Sequence, residues 1–258
     1  MSRLVFITGA SSGMGQALAL RFYAAGYRLA LRARRTAEVQ LWAQANLINA
    51  EHYQIYSDDV AAIDSIVAAG QACMSAQGVS DVVIANAGIN IGMDSAVRED
   101  LDVMVLTFAT NSIGVAATFH PFVAAMVVRG SCALVGIGSV AGIRGLSGHG
   151  AYSASKAAVI SYCESLRDEL RPSGGKVLPI NPGYIDTPLT RQNRYAMPYL
   201  MRADVFADKA FGAIHAGRSY RVITWQMGVV AKLLRLLPNA LFDRTLAGRP
   251  RKHRQGER

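Results

Sequence analysis

Two residue types with complementary acid–base chemistry lie four positions apart in AYSASKAAV, residues 151–159. Residues i and i+4 share one face of a helix, so Tyr152 and Lys156 should lie side by side. A free tyrosine loses its proton only near pH ~10. An ammonium about 4.5 Å away, in an effective dielectric of about 20, would favour the phenolate by roughly 3–4 kcal/mol and bring that pKa to about 7–8. The pair therefore predicts a phenol that acts as an acid and a base at neutral pH.

A glycine-rich turn follows the first predicted strand. The stretch TGASSGMG places Gly9, Gly13 and Gly15 between that strand and a helix. Glycine permits a tight turn and a close approach to a phosphate, and a helix N-terminus offers unpaired N–H groups. The spacing only approximates the general dinucleotide fingerprint. Its position after strand one nevertheless predicts a nucleotide-binding turn over a simple tight connection.

The end of the second predicted strand carries bases where an acid could stand. The stretch RLALRARR ends on Arg34 and Arg35, with no acid before Glu38. An acid at this point favours the ribose 2′-hydroxyl of NAD, whereas guanidinium groups favour the 2′-phosphate of NADP. The alternative is a pair of solvated surface arginines. The pattern predicts NADP(H) as the cofactor.

Short apolar runs alternate with longer helical stretches along the chain. The predicted strands are RLVFIT, RLALR, YQIY, DVVIAN, CALVGI, KVLPI and RVIT, and the predicted helices include 13–25, 61–76, 111–128 and 151–170. Continuous apolar runs are typical of strands buried on both faces, and their alternation with helices indicates a parallel sheet. We expect an α/β fold over residues 1–224: a single-domain, doubly wound, Rossmann-like parallel sheet of about seven strands with helices on both faces.

Six motifs occur together in the order and at the separations of one known family. They are TGASSGMG at 8–15, ANAG at 85–88, NSIG at 111–114, GSVAG at 138–142, YSASK at 152–156 and NPGYIDT at 181–187. Through them the chain resembles the short-chain dehydrogenase/reductase family over residues 3 to about 224. Gly138 stands where the family often has a serine, and Ala85 stands where it often has asparagine. Neither departure removes a reacting group.

The resemblance implies a catalytic set and a reaction. Tyr152 would be the acid and base, Ser139 would hydrogen-bond the substrate oxygen, and Lys156 would bind the nicotinamide ribose. Asn111 matches the position at which a water is held for proton relay. The reaction would be hydride transfer between the nicotinamide and a carbonyl or secondary alcohol carbon of a fairly apolar small molecule. The competing hypothesis is a catalytically silent NADP-sensing regulator with the same fold.

The resemblance also implies which residues bind the cofactor. Residues 86–88 would close over the adenine ribose and support the first strand, Asp59 and Val60 would contact the adenine, and 182–187 would hold the carboxamide. No metal site is expected. The full set is Gly9, Ser11, Ser12, Gly13, Met14, Gly15, Arg34, Arg35, Asp59, Val60, Asn86, Ala87, Gly88, Tyr152, Lys156, Pro182, Gly183, Ile185 and Thr187.

The substrate side is expected in the loop 188–212 and the turn before Tyr152. The candidate contacts are His149, Tyr184, Tyr195 and Met197, which give an apolar and adaptable lining. His149 could equally be a loop residue without a role. Arg191 and Arg194 could meet an acidic group or simply face solvent.

Residues 225–258 form a basic tail that carries +6 of the net charge of +9. This concentration gives no reason to expect a nucleic-acid-binding face. Residues 225–246 predict an amphipathic helix, on which Gly228, Lys232, Arg235 and Asn239 form a narrow polar stripe beside a wide Leu/Val/Met face. Three roles stay open: docking on the body or a partner, a lid over the substrate, or contact with an anionic membrane surface.

Assembly and localisation complete the expectations. The family resemblance implies a homodimer or homotetramer formed through helices at about 97–128 and 151–170. The N-terminal apolar run is too short for a signal peptide. The three scattered cysteines, Cys73, Cys132 and Cys163, indicate free thiols in a reducing cytoplasm.

Overall fold

The computed structural model describes residues 2–57, 59–193, 195–248, 251, 252 and 254, with the side chain of Leu246 excepted. The strands are β1 (Leu4–Thr8), β2 (Arg28–Arg32), β3 (Tyr53–Tyr56), β4 (Val82–Ala85), β5 (Ala133–Ile137), β6 (Lys176–Pro182), β7 (Ile185–Asp186), β8 (Met201–Arg202) and β9 (Arg221–Ile223). Seven of them form one sheet in the order β3-β2-β1-β4-β5-β6-β9. Every neighbouring pair in this sheet is parallel.

Helices connect these strands and cover the sheet. They are α1 (Gly13–Ala24), α2 (Thr36–Ala45), α3 (Ile63–Gln77), α4 (Asp100–Phe108), α5 (Gly114–Arg129), α6 (Gly150–Leu170), α7 (Ala203–His215), α8 (Trp225–Leu236) and α9 (Asn239–Leu246). One apolar cluster joins the sheet to α1, α2 and α7, and a second joins it to α3, α5 and α6. Both faces are therefore buried, which explains the continuous apolar strands.

The predicted doubly wound parallel sheet is confirmed, including its seven strands. The order of the strands reverses between β1 and β4, where the chain crosses from one side of the sheet to the other. In such sheets a crevice opens at the carboxyl ends of the strands at this switch point. Thr8 ends β1 and Ala85 ends β4 at the two sides of this crevice.

The segment expected to be the substrate loop, 188–212, is shorter than predicted. It ends near Leu200, because β8 pairs with β7 and α7 then begins at Ala203. Phe206, Ala207 and Ala210 of α7 are fully or almost fully buried in the cluster that includes α1. The apolar residues in the second half of the segment therefore serve the core.

The predicted single helix at 225–246 is also corrected. The chain leaves the helical conformation at Leu237 and Pro238, and so divides the segment into α8 and α9. Gly228, assigned to the polar stripe, is buried because α8 lies closely against Val222. The wide apolar face points outward instead, with Leu233 59% and Leu236 81% exposed.

The longest apolar helical run is Asp100–Arg129, which is continuous through α4, a π-helical turn at Ala109–Ile113, and α5. Its length and its mean hydropathy of 1.4 would suffice to cross a membrane. Its residues Phe119, Phe122 and Met126 are nevertheless buried in the second apolar cluster. These three residues pack this helix into the core of the domain.

Candidate active site

The predicted acid–base pair lies at the start of α6, beside the end of β5. Lys156 is 4% exposed, and its ammonium donates a hydrogen bond to the carbonyl oxygen of Ile137 at 2.7 Å. Its Nζ lies 5.9 Å from the centre of the Tyr152 ring. The Tyr152 side chain lies within interaction range of Ser139, which follows β5. The Ser139 hydroxyl oxygen accepts a hydrogen bond from the N–H of Ala141 at 3.1 Å. The structure thus brings Ser139, Tyr152 and Lys156 together.

Burial changes the electrostatics expected for this pair. It raises the pKa of Tyr152 above 10, and the hydrogen bond with Ser139 opposes that rise only in part. It also lowers the pKa of Lys156 to about 8. The prediction that Lys156 alone brings the phenol into the neutral range is therefore wrong for the protein without cofactor, because loss of solvent disfavours both charged forms.

Asn111 lies on the helical run close to Lys156, as the resemblance implies, and its role in holding a water stays a prediction. It is fully buried on the π-helical turn, and its side-chain N–H groups donate to Ile89 O at 2.9 Å and to Ser155 Oγ at 3.1 Å. Its Oδ1 accepts from the Ile89 N–H at 2.8 Å. Both side-chain donors are thus used by the protein. Asn111 joins the loop after β4 to α6 next to Lys156, which makes it a positioning residue.

A cleft of about 380 Å³ opens at the switch point of the sheet. Most of the residues predicted to bind the cofactor line it. They are Gly9, Ser11, Ser12, Met14, Arg34, Arg35, Asp59, Val60, Asn86, Ala87, Gly88 and Thr187. The cleft also meets Arg32, Ala33, Ile89, Ile91, Leu106, Thr110, Pro188 and Leu189.

The glycines of the turn stand where a side chain would collide with the neighbouring backbone or side chains. Gly9 has φ +69°, and a Cβ there would lie 2.8 Å from the Cα of Ala87. A Cβ on Gly15 would lie 2.1 Å from the carbonyl oxygen of Gly9. Gly13, at φ +55°, packs against Thr187 and begins α1, whose preceding residue Ser12 makes no side-chain cap. The first N–H groups of α1 therefore face the cleft without a side-chain acceptor.

The end of β4 is tied to the end of β1. The Thr8 hydroxyl accepts from the N–H groups of Asn86 and Ala87, at 2.9 and 3.1 Å. The Asn86 side chain donates to the carbonyls of Thr8 and Gly9, at 3.0 and 3.3 Å. Its Oδ1 is buried and finds no hydrogen-bond partner among the described residues. The support of the first strand expected from residues 86–88 is thus visible in these contacts.

Arg34 and Arg35 lie at the rim of the cleft, as the sequence suggested. Arg35 donates to Ser11 Oγ at 3.2 Å and pairs with Glu38 at 3.0 Å. Arg34 Nη1 lies 3.7 Å from Asp59 Oδ2, and its side chain is 67% exposed. Both guanidinium groups therefore lie at the wall of the cleft that would contact the adenine ribose.

Other predicted cofactor residues lie behind the wall of the cleft. Pro182 and Ile185 are buried, and Gly183 packs against Thr224 and Met227. The sequence reasoning missed Arg32, which is 1% exposed and lines the cleft from β2. Burial lowers the pKa of Arg32 to about 9. The sequence feature that could have indicated it is an arginine at the end of the otherwise apolar run of β2.

The predicted substrate residues form a chain of aromatic contacts that leads away from Tyr152. The His149 ring lies 6.4 Å from the Tyr152 ring and 6.0 Å from the Tyr195 ring, and the Tyr184 and Tyr195 rings are 6.2 Å apart. Met197 follows Tyr195 by two residues, and its sulfur lies 3.6 Å from the side-chain nitrogen of Asn193. Arg191 is held by Asp186 at 2.8 Å, whereas Arg194 lies outside the described residues.

Comparisons with known proteins agree with this geometry. The family model described as short chain dehydrogenase matches residues 3–197. An uncharacterized oxidoreductase of Myxococcus xanthus is 37% identical over 244 residues, which cover 93% of this chain and 95% of that protein. The fold is similar to that of a short-chain dehydrogenase from Streptomyces avermitilis (TM-score 0.79, 24% identity, 90% and 92% of the two chains) and to that of ElxO with NADP bound (0.77, 20%, 86% and 96%). The chain belongs to the short-chain dehydrogenase/reductase family of oxidoreductases.

Proposed function

We propose that this oxidoreductase uses NADP(H) to interconvert a carbonyl and a secondary alcohol on a largely apolar substrate. The observation that carries the proposal is the meeting of Ser139, Tyr152 and Lys156 next to Gly88, which lines the cleft at the switch point and where a Cβ would lie 3.4 Å from Lys156 Nζ. A phenol can donate or accept a proton at the substrate oxygen, a hydroxyl can hydrogen-bond that oxygen, and an ammonium can favour the phenolate.

The residues of the cleft fit a dinucleotide. Glycines at positions 9 and 15 leave the backbone free to approach a pyrophosphate, and α1 presents its N-terminus there. The buried Oδ1 of Asn86, which has no hydrogen-bond partner among the residues that the structure describes, offers an acceptor to a ligand. Arg34 and Arg35 support the phosphorylated cofactor, because a 2′-phosphate can accept from guanidinium groups. When bound, the nicotinamide supplies or accepts the hydride.

Each catalytic side chain then has one task. In reduction Tyr152 donates its proton to the substrate oxygen, and Ser139 donates a hydrogen bond to the same atom. Lys156 keeps a positive charge beside the phenol and favours the phenolate left behind. In oxidation the phenolate accepts the proton from the alcohol. Asn111 and the Ile137 carbonyl hold Lys156 and its helix in place.

A regulator that only senses the nucleotide is the alternative of a different class. It would need the cleft but not the three reacting groups. The closeness of Ser139 to Tyr152 and the buried ammonium of Lys156 beside them favour catalysis, since a buried charge is costly and has no use in a pure sensor.

The three cysteines are unpaired, and this supports the proposal that the protein works in a reducing cytoplasm.

Replacing Tyr152 with phenylalanine tests the catalytic proposal. Tyr152→Phe should lower kcat/KM with NADPH and a panel of ketones and aldehydes by about 100-fold or more, because it removes the transferable proton. Cofactor affinity should change little, because the ring stays. Tyr162→Phe on the same helix, where the ring stacks on Phe119, is the matched control and should keep its activity. A Tyr152→Phe enzyme with substantial turnover would contradict the role of the phenol.

Replacing Arg34 with alanine tests the choice of cofactor. Arg34→Ala should weaken NADPH about tenfold or more, the size of a lost hydrogen bond to a charged group, and leave NADH almost unchanged. Fluorescence titration of both cofactors measures this. Arg171→Ala, an exposed arginine paired with Asp168 in the turn after α6, is the control. Tighter binding of NADH than of NADPH by the wild type would exclude the assignment.

We also propose that the protein forms a homodimer or homotetramer through α4, α5 and α6. Leu101, Val105 and Ile113 are 45%, 68% and 47% exposed along the helical run that carries them. Such an apolar row indicates an interface. The wild type should sediment as a dimer or tetramer at micromolar concentration, and Val105→Lys should shift it toward the monomer. Leu41→Lys on α2, equally exposed at 67%, should not. A monomeric wild type would refute the proposal.

A further inference from the structure

Residues 251, 252 and 254 lie against the body of the protein at the substrate side. We call these three basic residues the basic strap: Arg251, Lys252 and Arg254. Arg251 donates to Asp94 Oδ2 at 2.7 Å, and Arg254 donates to both carboxylate oxygens of Asp100, at 2.6 and 3.1 Å. Arg254 also forms a parallel β-bridge with Gly92. These contacts fix the strap on the loop between β4 and α4 and on the first residue of α4.

The two arginines of the strap are matched by carboxylates. Asp100 is only 5% exposed, and its hydrogen bond with Arg254 lowers its pKa. The pKa of Asp94 is lowered by its hydrogen bonds with the Ala96 N–H and with Arg251. Both arginines are thus paired with carboxylates of the same chain, Arg254 in a mostly buried pair and Arg251 in a partly exposed one. These paired arginines have little left to offer to an anionic lipid surface.

Lys252 differs from both arginines. It is 8% exposed, and its ammonium donates to the side-chain oxygen of Asn193 at 2.6 Å. Among the described residues, no carboxylate lies within 4.0 Å of this ammonium. A buried positive charge held by one neutral amide lacks its compensation, because burial strips the charge of water.

The surroundings of Lys252 join it to the catalytic group. Its backbone N lies so close to Gly148 that a Cβ there would be 2.8 Å away. The next residue, His149, is 8% exposed and stands between the strap and Tyr152. Burial, aided by the charge of Lys252, lowers the pKa of His149 to about 4, so its ring is neutral at pH 7. Its Nδ1 is buried and finds no partner in the described part of the chain.

We propose that the basic strap closes the substrate side of the active site and that Lys252, with His149 beside it, binds an anionic group at the far end of the substrate. The inference rests on the proposed oxidoreductase function and refines its substrate class. The substrate has an apolar body along Tyr195 and Met197, a carbonyl or alcohol at Tyr152, and a carboxylate or similar anion at Lys252. Of the roles considered for the tail, these contacts favour the lid.

A cofactor phosphate is not the anion meant here. Lys252 is not among the residues lining the cleft at the switch point, whose basic wall consists of Arg32, Arg34 and Arg35. Lys252 instead contacts Asn193, which also touches Met197 of the substrate loop. Its charge therefore lies outside the cleft that the cofactor phosphates would occupy.

The test compares matched acids and amides. The probes are levulinate, its homologues lengthened by one to three methylenes, and the corresponding primary amides, all titrated by calorimetry into the full-length protein saturated with NADP⁺. Turnover of the same compounds is measured separately with NADPH. The wild type should bind at least one acid about tenfold or more tightly than its amide. Lys252→Met should bring that ratio close to one, and Lys252→Arg should largely keep it.

A lysine elsewhere in the tail provides the control. Lys232 is exposed on α8 and lies 5.9 Å from the Tyr220 ring, so Lys232→Met makes the same chemical change outside the site. It should leave the preference for the acid as it is in the wild type. The inference is overturned if no acid is preferred by the wild type, or if Lys252→Met keeps the preference. Acids that bind preferentially but are not reduced would leave the inference intact and contradict the proposed function.

Discussion

A positive charge held inside the protein is the constraint on which the active site depends. The ammonium of Lys156 lies at the carboxyl end of β5, with one carbonyl oxygen as its described hydrogen-bond partner. Glycines make room for it: a Cβ on Gly88 would lie 3.4 Å from Nζ and 3.2 Å from Asn111 Oδ1. A Cβ on Gly142 would lie 2.7 Å from the Lys156 backbone. The turn after β5 can therefore reach α6, which brings Ser139 to Tyr152.

The architecture was predictable because it rests on short-range patterns. Buried parallel strands are continuous apolar runs, and a nucleotide turn requires glycines where a side chain would collide, as at Gly9 and Gly15. The spacing of Tyr152 and Lys156 on one helix likewise needs no tertiary information. These features indicated the fold, the cleft and the acid–base pair.

The features that were missed depend on tertiary contacts. Burial decides the direction of the pKa of Tyr152, and burial cannot be read from the spacing of two residues. Arg32 faces the cleft because β2 lies beside β1 in the sheet. Gly228 turns α8 so that its small face meets Val222 and its leucines point outward. The docking of the strap requires Asp94 and Asp100, which lie more than 150 residues earlier in the chain.

The site combines two kinds of recognition around one phenol. On one side the sheet edge presents glycine backbone, a helix N-terminus and arginines, which suit phosphates. On the other side lie the aromatic rings of His149, Tyr184 and Tyr195, and His149 is next to the basic strap. The two sides share the pair at the start of α6, half-buried Tyr152 and buried Lys156. The phenol must therefore change charge in surroundings that disfavour charge, and this is the central claim.

Ultraviolet difference titration of the tyrosinate band tests that claim most directly, with the Tyr152→Phe spectrum subtracted. Without cofactor, Tyr152 should show no phenolate below pH ~10, because burial raises its pKa and Lys156 itself loses its proton near pH 8. With NADP⁺ bound, the positive nicotinamide ring should favour the phenolate and move the titration of Tyr152 to lower pH. A phenolate already present at neutral pH without cofactor, or a titration that NADP⁺ does not lower, would contradict the account.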